Sequence, residues 1–393
     1  MDASSNPYTP GSGRPPVELV GRNEDLKLFS SLITRSARSL GPDQPILLLG
    51  LRGVGKTVLL NRMLQEAENA DWVAVKFEAS PGTAGATTAR QILIQGLNAA
   101  SFARSAQAST SRVRQMLATI TSFNISLGLT DVSFGVARDP GRASTSNYEL
   151  DLLDAVIDTA EVLRDENKGI AFFIDELQDL DPGLLAALLS CQHECSQRAL
   201  PFYIIGAGLP NLPKILAETK SYAERMFNVR IIDSLNAEET RAAFLGPAHA
   251  MDAEFDDIAL GILVKASQGY PYFIQELGSA MWRVAEGSPF TVHDARNALL
   301  LGFAQLDSGF FPARWDRATP AERNYLSAMA FDGPQPSTTS SIAERLGKKV
   351  QSLGPIRASL ISKGLIYSPE LGRVAFTVPG FHDFIQRRTT LAE

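Results

Sequence analysis

A glycine-rich segment followed by a lysine and a threonine is the part of the chain best suited to chemistry. It reads GLRGVGKT from Gly50 to Thr57, after the apolar run ILLL and before a segment with helical pattern. Its glycines allow the backbone to turn with positive φ and bring N–H groups close to phosphate oxygens. Lys56 would reach the β- and γ-phosphates, and the Thr57 hydroxyl would bind Mg²⁺. The stretch predicts a strand, a phosphate loop and a helix whose N-terminus attracts anions.

We therefore expect ATP and Mg²⁺ as ligands. The predicted nucleotide-binding residues in this stretch are Gly50, Leu51, Arg52, Gly53, Val54, Gly55, Lys56, Thr57 and Val58.

A second candidate is the apolar strand within GIAFFIDELQDL, which ends in the adjacent carboxylates Asp175 and Glu176. We expect this strand to lie beside the phosphate loop. Asp175 would then hold Mg²⁺ through water, and Glu176 would orient the attacking water. Two acids at a strand end are a weak signal alone and a strong one downstream of a phosphate loop.

Two further positions are candidates for contact with the γ-phosphate. Asn211 follows a predicted strand at Phe202 to Ile205 and could sense the phosphate or cap a helix. Arg225 precedes the last predicted strand, and Arg230 lies in it. An arginine at either place can stabilise charge in the transition state. We prefer Arg225, in its own or a neighbouring subunit; a surface charge is the alternative.

Length and composition predict a multidomain protein of ordinary solubility. The chain has 393 residues, and no apolar run approaches the roughly 20 that a membrane span needs. We expect a cytoplasmic protein without a membrane partner, and a disordered leader at residues 1–16 that is not a secretory signal. A core at 17–234 would carry an inserted hairpin, FNISLGLTDVSFGVA, within about 106–146, flanked by linkers.

The region 235–304 is predicted to be a helical lid. Within it, GYPYFIQELGSAMWR places Pro271 in a rigid turn before an amphipathic helix. This turn could press on the adenine, or it could simply start the helix, since proline is favoured at the first helical position.

The C-terminal segment, residues 312–393, has the pattern of a winged helix-turn-helix. Thr319 and Glu322 form a capping-box pattern around a helix start at Pro320. Two further short helices follow, and IYSPELGRVAFTVP resembles a two-stranded wing.

The charge of this segment favours contact with double-stranded DNA. From Arg317 to the end there are 10 Lys and Arg against 6 Asp and Glu, a net charge of +4; the whole chain carries −6, so the rest carries −10. Docking of a protein partner is the alternative, because winged helices serve both uses. The candidate DNA contacts are Lys348, Lys349, Gln351, Ser352, Arg357 and Arg373.

With these residues in place, the chain resembles AAA+ ATPases, most of all bacterial relatives of origin-recognition and Cdc-type initiators. The matching segments are VELVGR, GLRGVGKT, FFIDEL, GAGLP, AERMF and GYPYF. The resemblance implies an α/β P-loop NTPase of the ASCE/AAA+ class: a parallel-sheet core, a helical lid and a C-terminal winged helix. It gives Lys56, Thr57, Asp175 and Glu176 the Walker roles and places Val20 and Pro271 at the nucleotide.

The same resemblance assigns sensor 1 to Asn211 and the arginine finger to Arg225. One departure is that Tyr272 stands where initiators usually carry a sensor 2 arginine. The Gly-x-Pro turn instead resembles STAND signalling ATPases, whose proline packs on the base. This difference favours a slow switch over rapid turnover.

The leading hypothesis is an ATP-driven switch that hydrolyses ATP slowly and repositions its winged helix on DNA, with a homo-oligomer as one expected assembly. A STAND-like signalling or defence ATPase with a protein partner is the alternative. A nucleotide-stabilised scaffold is the third.

Overall fold

The structure is a computed structural model that describes residues 1–11, 13–38, 43–105, 111–126 and 148–390. The chain forms two compact units. The first comprises Arg22–Gly50 and Lys56–Ile231, and the second comprises Met1–Gly21, Leu51–Gly55 and Ile232–Glu393. The five residues Leu51–Gly55 of the predicted phosphate loop therefore group with the second unit.

The first unit is an α/β structure. Its strands are β1 (Ile46–Leu49), β2 (Val73–Glu78), β3 (Ile170–Asp175), β4 (Phe202–Gly208) and β5 (Asn228–Ile231). Its helices are α1 (Asn23–Ala37), α2 (Lys56–Asn69), α3 (Gly82–Ser105), α4 (Ser111–Ser126), α5 (Tyr148–Asp165), α6 (Pro182–Gln197) and α7 (Leu212–Thr219).

All five strands form one parallel sheet in the order β2-β3-β4-β1-β5. Strands β1, β3 and β4 are buried along their whole length, as expected for parallel strands covered by helices on both faces. The predicted parallel-sheet core is confirmed. Strand β4 pairs with both β1 and β3 and lies between them, so β3 reaches the phosphate loop from one strand further away.

A glycine in β4 allows residues that follow β3 to approach this intervening strand. A Cβ at Gly208 would lie 2.7 Å from the Gln178 side-chain oxygen and 2.5 Å from a Leu212 methyl carbon. Both distances are below normal contact for a Cβ. The glycine therefore creates the space through which Gln178 reaches the end of β4.

The predicted hairpin in the insertion is wrong at its start. Phe123–Ser126 is the last turn of α4, and residues 127–147 lie outside the described part of the chain. The predicted linker before the hairpin is also wrong in part, because helix α4 begins at Ser111. Helix α4 packs against α5, and its side chains Met116, Ile120 and Phe123 are fully buried. Their spacing of four and three residues is that of one helix face.

The second unit is mainly helical. Its helices are α8 (Ala237–His249), α9 (Asp257–Ser267), α10 (Pro271–Val284), α11 (Val292–Gln305), α12 (Phe311–Trp315), α13 (Pro320–Ala330), α14 (Thr339–Arg345), α15 (Gly354–Ser362) and α16 (Phe381–Thr390). Its strands are β6 (Ser337–Thr338), β7 (Ile366–Tyr367) and β8 (Arg373–Phe376), and they form an antiparallel sheet in the order β6-β8-β7.

The N-terminal residues are ordered on helices α8 and α10, so the prediction of a disordered leader is wrong. Tyr8 is 3% exposed, and its hydroxyl donates to the Phe244 carbonyl oxygen at 2.5 Å. The Trp282 indole N–H donates to the Asp2 carbonyl oxygen at 2.8 Å. Residues 1–16 contain no continuous apolar run. Burial of the Tyr8 ring, whose hydroxyl is hydrogen-bonded, nevertheless removes a large area from water and holds the segment against the helices.

Helix α13 begins as the sequence predicted. Thr319 is its N-cap and forms a reciprocal capping box with Glu322, and Pro320 is the first helical residue. Among the described residues, none of the helices has the length and hydropathy that crossing a bilayer requires.

Glu322 is also the centre of a buried ionic network. The side chain is 4% exposed and accepts hydrogen bonds from Lys363 Nζ at 2.6 Å, Ser359 Oγ at 2.6 Å and the Thr319 N–H at 2.7 Å. Burial raises the pKa of the Glu322 carboxyl, but these hydrogen bonds outweigh it and lower the pKa to about 2. The charged form of Glu322 therefore stabilises the C-terminal segment.

We predict that Glu322→Gln lowers the free energy of unfolding by about 2 kcal/mol at pH 7, because it removes hydrogen bonds to a charged group. The native pKa lies below the unfolded value of about 4.3, so this stabilisation is complete above that value. It is lost as the pH falls toward 2. Urea denaturation of the full chain at several pH values measures the difference between the variant and the unaltered chain.

The control is Glu344→Gln, which changes an exposed glutamate on α14. It should leave the free energy of unfolding within about 0.5 kcal/mol. Two results would contradict a stabilising role of the charged Glu322 side chain. One is an equal loss of unfolding free energy in the two variants at pH 7, and the other is a loss in Glu322→Gln that grows toward pH 2.

Candidate functional site

The lysine of the predicted phosphate loop lies at the junction of β1 and α2. Lys56 is the first residue of α2 and is 5% exposed, and its ammonium donates to the Gly50 carbonyl oxygen at 2.9 Å. The Gly50 N–H donates to the Gly208 carbonyl oxygen at 3.2 Å, which extends the β1–β4 pairing by one residue. A buried ammonium at a helix N-terminus gives this end of the sheet a positive potential.

The loop residues themselves contact parts of the second unit. The Tyr270 hydroxyl donates to the Arg52 carbonyl oxygen, and the Arg52 guanidinium donates to the Lys363 carbonyl oxygen at 3.0 Å. Gly53 has a φ of +84°, and a Cβ there would overlap the Tyr270 hydroxyl. This position thus requires glycine both for its backbone conformation and for its contact with Tyr270.

The two predicted magnesium ligands meet, although 118 residues separate them. The Thr57 hydroxyl donates to Asp175 Oδ2 at 2.6 Å, and the Asp175 side chain is 5% exposed. Mg²⁺ holds its ligands at about 2.1 Å, so two neighbouring ligands of one ion lie about 3 Å apart. The contact at 2.6 Å is a hydrogen bond, and it places Thr57 where it could bind Mg²⁺ directly while Asp175 holds the ion through water.

The described residues contain no group of three His, Cys, Asp or Glu side chains placed to hold a metal. Mg²⁺ at Thr57 and Asp175 would therefore take its other oxygen ligands from phosphate groups and water, as is usual for this ion.

Glu176 adopts a backbone conformation that is uncommon for a residue with a side chain. Its φ is 48° and ψ is 42°, in the left-handed region, at the sharp turn that ends β3. Such strained residues are concentrated at functional sites.

Gln178, which the sequence analysis did not single out, holds this glutamate. Its amide nitrogen donates to Glu176 Oε2 at 2.6 Å, and its amide oxygen accepts from the Leu209 N–H at 3.1 Å. One side chain therefore connects the acid at the end of β3 to the end of β4. A glutamine two residues after an acid pair gives no recognisable sequence signal.

Asn211 is placed at the N-cap of α7 but makes no capping hydrogen bond through its side chain. Its Oδ1 atom is buried and has no hydrogen-bond partner among the described residues. The helix-cap alternative is therefore wrong for the side chain. A buried polar atom of this kind favours contact with a ligand or water.

The two candidate arginines differ in their surroundings. Arg230 donates to Asp25 at 2.6 Å and lies 3.6 Å from Glu24, so its charge is used within the first unit. Arg225 ends a short 3₁₀ helix and is exposed. Of the two, Arg225 is the one presented to solvent.

The remaining predicted nucleotide contacts lie in varied environments. Val20 is partly buried against the helical cluster of α8–α11, and Pro271 is the first residue of α10, as the helix-start alternative predicted. Val54 is buried, whereas Leu51 and Val58 are partly exposed.

Most of the predicted DNA contacts are exposed. These are Lys348, Lys349, Gln351, Ser352 and Arg373. Arg357 is partly buried and donates to the Ser368 hydroxyl at 2.8 Å. Its guanidinium is engaged in a local contact, so it is a weaker candidate than the others.

Comparison with known families gives two matches along the chain. Residues 18–205 match the family model described as AAA ATPase domain. Residues 308–385 match a domain of unknown function, DUF8462. No curated protein has significant sequence similarity to the chain.

Solved structures are similar over nearly the whole chain. The Walker-type ATPase of Pyrococcus abyssi is 15% identical, with 95% of this chain and 98% of that chain covered and a TM-score of 0.57. Cdc6p from Pyrobaculum aerophilum is 14% identical, with 100% and 99% covered and a TM-score of 0.48. The Aeropyrum pernix Orc1 protein, solved in complex with DNA, is 14% identical, with 96% and 95% covered and a TM-score of 0.45. The similarity to the Pyrococcus abyssi ATPase shows a related fold.

We predict that Gln178→Leu lowers kcat for ATP hydrolysis about 10-fold and leaves ATP affinity within about 2-fold, because it would misplace Glu176, the residue expected to orient the attacking water. Steady-state hydrolysis and calorimetric ATP binding measure the two quantities. Gln197→Leu, at an exposed position that ends α6, is the control and should change neither. An unchanged kcat in Gln178→Leu would show that this hydrogen bond has no catalytic role.

Proposed function

We propose that the chain is an AAA+ ATPase that binds ATP with Mg²⁺ and hydrolyses it slowly, as a switch that controls the C-terminal segment. The hydrogen bond between Thr57 and Asp175 carries this proposal. It joins the residue after the phosphate-loop lysine to the acid at the end of β3, and both are natural ligands of one Mg²⁺ ion.

The roles of the other residues follow from their positions. Lys56 would neutralise the β- and γ-phosphates, and the backbone N–H groups of Gly53 and Gly55 would bind phosphate oxygens. Glu176 would polarise the attacking water. Arg225 would stabilise transition-state charge in a neighbouring subunit, which its exposure supports.

Slow turnover is supported by the residue that replaces a sensor 2 arginine. Tyr272 carries no charge at neutral pH, and its ring stacks on Phe310 at a centroid distance of 4.4 Å. Without a cation at this position, less charge is available to stabilise the transition state.

The C-terminal segment is proposed to be a winged helix that binds double-stranded DNA. Helices α13, α14 and α15, followed by the antiparallel strands β7 and β8, support this. Lys348 and Lys349 are exposed in the connection after α14, where they can reach phosphate groups.

A protein-docking role, as in STAND-like signalling or defence ATPases, is the second candidate. Leu371 is fully exposed between β7 and β8, and Phe331 is 77% exposed at the end of α13. Exposed apolar side chains at a loop tip favour a protein partner over a nucleic acid.

The nucleotide site is tested with Lys56→Ala and Glu176→Gln. Lys56→Ala should weaken ATP binding by at least 10-fold, since it removes a charged hydrogen bond to phosphate. Glu176→Gln should keep ATP affinity and lose most hydrolysis, because an amide cannot accept a proton from water. ATP binding by calorimetry and phosphate release measure these effects, and wild-type ATP affinity in Lys56→Ala would refute the assignment of the phosphate loop.

DNA binding is tested by its dependence on salt. With about four phosphate contacts, affinity for duplex DNA should fall about 100-fold between 50 and 200 mM salt. Lys348→Glu with Lys349→Glu should weaken binding at least 10-fold. The control is Lys214→Glu with Lys265→Glu, which makes the same charge change at exposed positions on α7 and α9.

Fluorescence anisotropy with labelled duplex measures both effects. No detectable binding with or without ATP, or equal losses in the two double variants, would favour the protein-docking role.

A further inference from the structure

Helix α15 is the second helix of the proposed helix-turn-helix, and its solvent-exposed face carries only small residues. The exposed positions of α15 are Gly354, Pro355, Ala358 and Ser362. Their spacing of three, four and eight residues places them on one side of the helix. In a helix-turn-helix that binds DNA, the second helix is the one that enters the major groove. The side chains that α15 offers to a duplex are therefore those of this face.

This face has no long side chain that could read a base. Direct readout in the major groove depends mainly on Arg, Lys, Asn and Gln side chains that pair with base edges. The Ser362 hydroxyl donates to the Ser359 carbonyl oxygen at 2.8 Å, so its proton is used within the helix. The one arginine of α15, Arg357, is partly buried and donates to the Ser368 hydroxyl at 2.8 Å. Helix α15 thus presents a narrow surface that lacks free side-chain donors for bases.

The exposed lysines of the C-terminal segment lie outside this helix. Lys348 and Lys349 are in the connection between α14 and α15. Their ammonium groups are flexible point charges without the planar fork that pairs with a base edge, so they are suited to phosphate oxygens. Arg373, at the start of β8, lies 3.9 Å from Glu370, which offsets part of its charge. The cations of this segment therefore favour the DNA backbone over the bases.

Gln351 is the exposed amide closest in the chain to α15. It lies in the 3₁₀ turn Val350–Leu353 that precedes the helix. The next residue, Ser352, donates its hydroxyl proton to the Lys349 carbonyl oxygen at 2.7 Å. One glutamine pairs with one adenine, which is too little to define a site of several base pairs.

We infer that the C-terminal segment binds duplex DNA through its sugar-phosphate backbone and has no preference for a base sequence. This inference rests on the proposed function and specifies the class of DNA that the segment takes. The small residues of α15 let the helix approach the duplex closely, while the two lysines bind phosphate groups. The affinity then comes from the release of counterions, which is the same for every sequence.

The first experiment is a selection from labelled duplexes with a randomised central region, made with the full chain and Mg²⁺, with and without ATP. Repeated rounds of binding should enrich no motif. Fluorescence anisotropy should then show that the selected pool binds within about 2-fold of the starting pool, whereas a sequence-specific protein gains about 1,000-fold or more.

Variants separate the lysines from the helix face. Lys348→Ala with Lys349→Ala should reduce the slope of log affinity against log salt concentration by about 2 on every duplex. Gln351→Ala should change each affinity by less than about 2-fold, since phosphate contacts dominate. Ala358→Glu should weaken binding about 10-fold on every duplex, because it places a negative charge where the helix meets the DNA. The matched control is Ala250→Glu, at an exposed alanine that follows α8, which should leave the affinity unchanged.

Two results would overturn the inference and leave DNA binding intact. One is an enriched motif whose duplex binds about 10-fold or more tightly than the starting pool. The other is unaltered affinity in Ala358→Glu alongside a loss in the double lysine variant, which would show that α15 does not face the duplex. Thermal melting of each variant without DNA checks that the fold is kept. If the unaltered chain binds no duplex at all, the proposed DNA binding fails, the inference fails with it, and the small face of α15 is assigned to a protein partner.

Discussion

The carboxyl edge of a parallel sheet is the constraint on which the candidate site depends. Each strand of the sheet ends on the same side, so the loops after β1, β3 and β4 share one edge. The register pairs Leu49 with Gly208 across β1 and β4, and it places the end of β3 one strand further on. A threonine and an aspartate 118 residues apart meet at 2.6 Å because of this register.

The position of β4 between β1 and β3 restricts the size of the side chains that β4 can carry. With β4 between β1 and β3, residues after β3 must pass close to its end to reach β1. Small residues in β4 permit this: a Cβ at Gly206 would lie 2.7 Å from a Leu177 methyl carbon, and one at Gly208 would crowd Gln178. The glycines of β4 thus contribute to the site without being candidates for contact with a ligand.

The sequence predicted those features that depend on local pattern. Strands β1 and β3 follow from continuous apolar runs, and the start of α13 follows from the capping box at Thr319 and Glu322. The order of the strands in the sheet could not be predicted from the sequence, because strand pairing depends on contacts between segments that are distant in the chain. The helix α4 was missed because serine and threonine weakened its pattern, although Met116, Ile120 and Phe123 lie on one face.

The roles of single polar side chains were the least accessible to sequence reasoning. Asn211 was a reasonable helix cap by residue type, and only its buried oxygen without a capping bond distinguishes the alternatives. Gln178 belongs to no motif at all. Its significance comes from what surrounds it, namely the Glu176 carboxylate and the Leu209 backbone N–H.

The phosphate-loop residues Leu51–Gly55 group with the second unit, and hydrogen bonds to distant residues help to hold them there. Among these are a neutral hydrogen bond from Tyr270 to Arg52 and a charged one from Arg52 to Lys363. A neutral hydrogen bond contributes about 1 kcal/mol and a charged one about 2 kcal/mol. Together these two hydrogen bonds contribute about 3 kcal/mol to holding the loop in its conformation, which is about a hundredfold in an equilibrium constant.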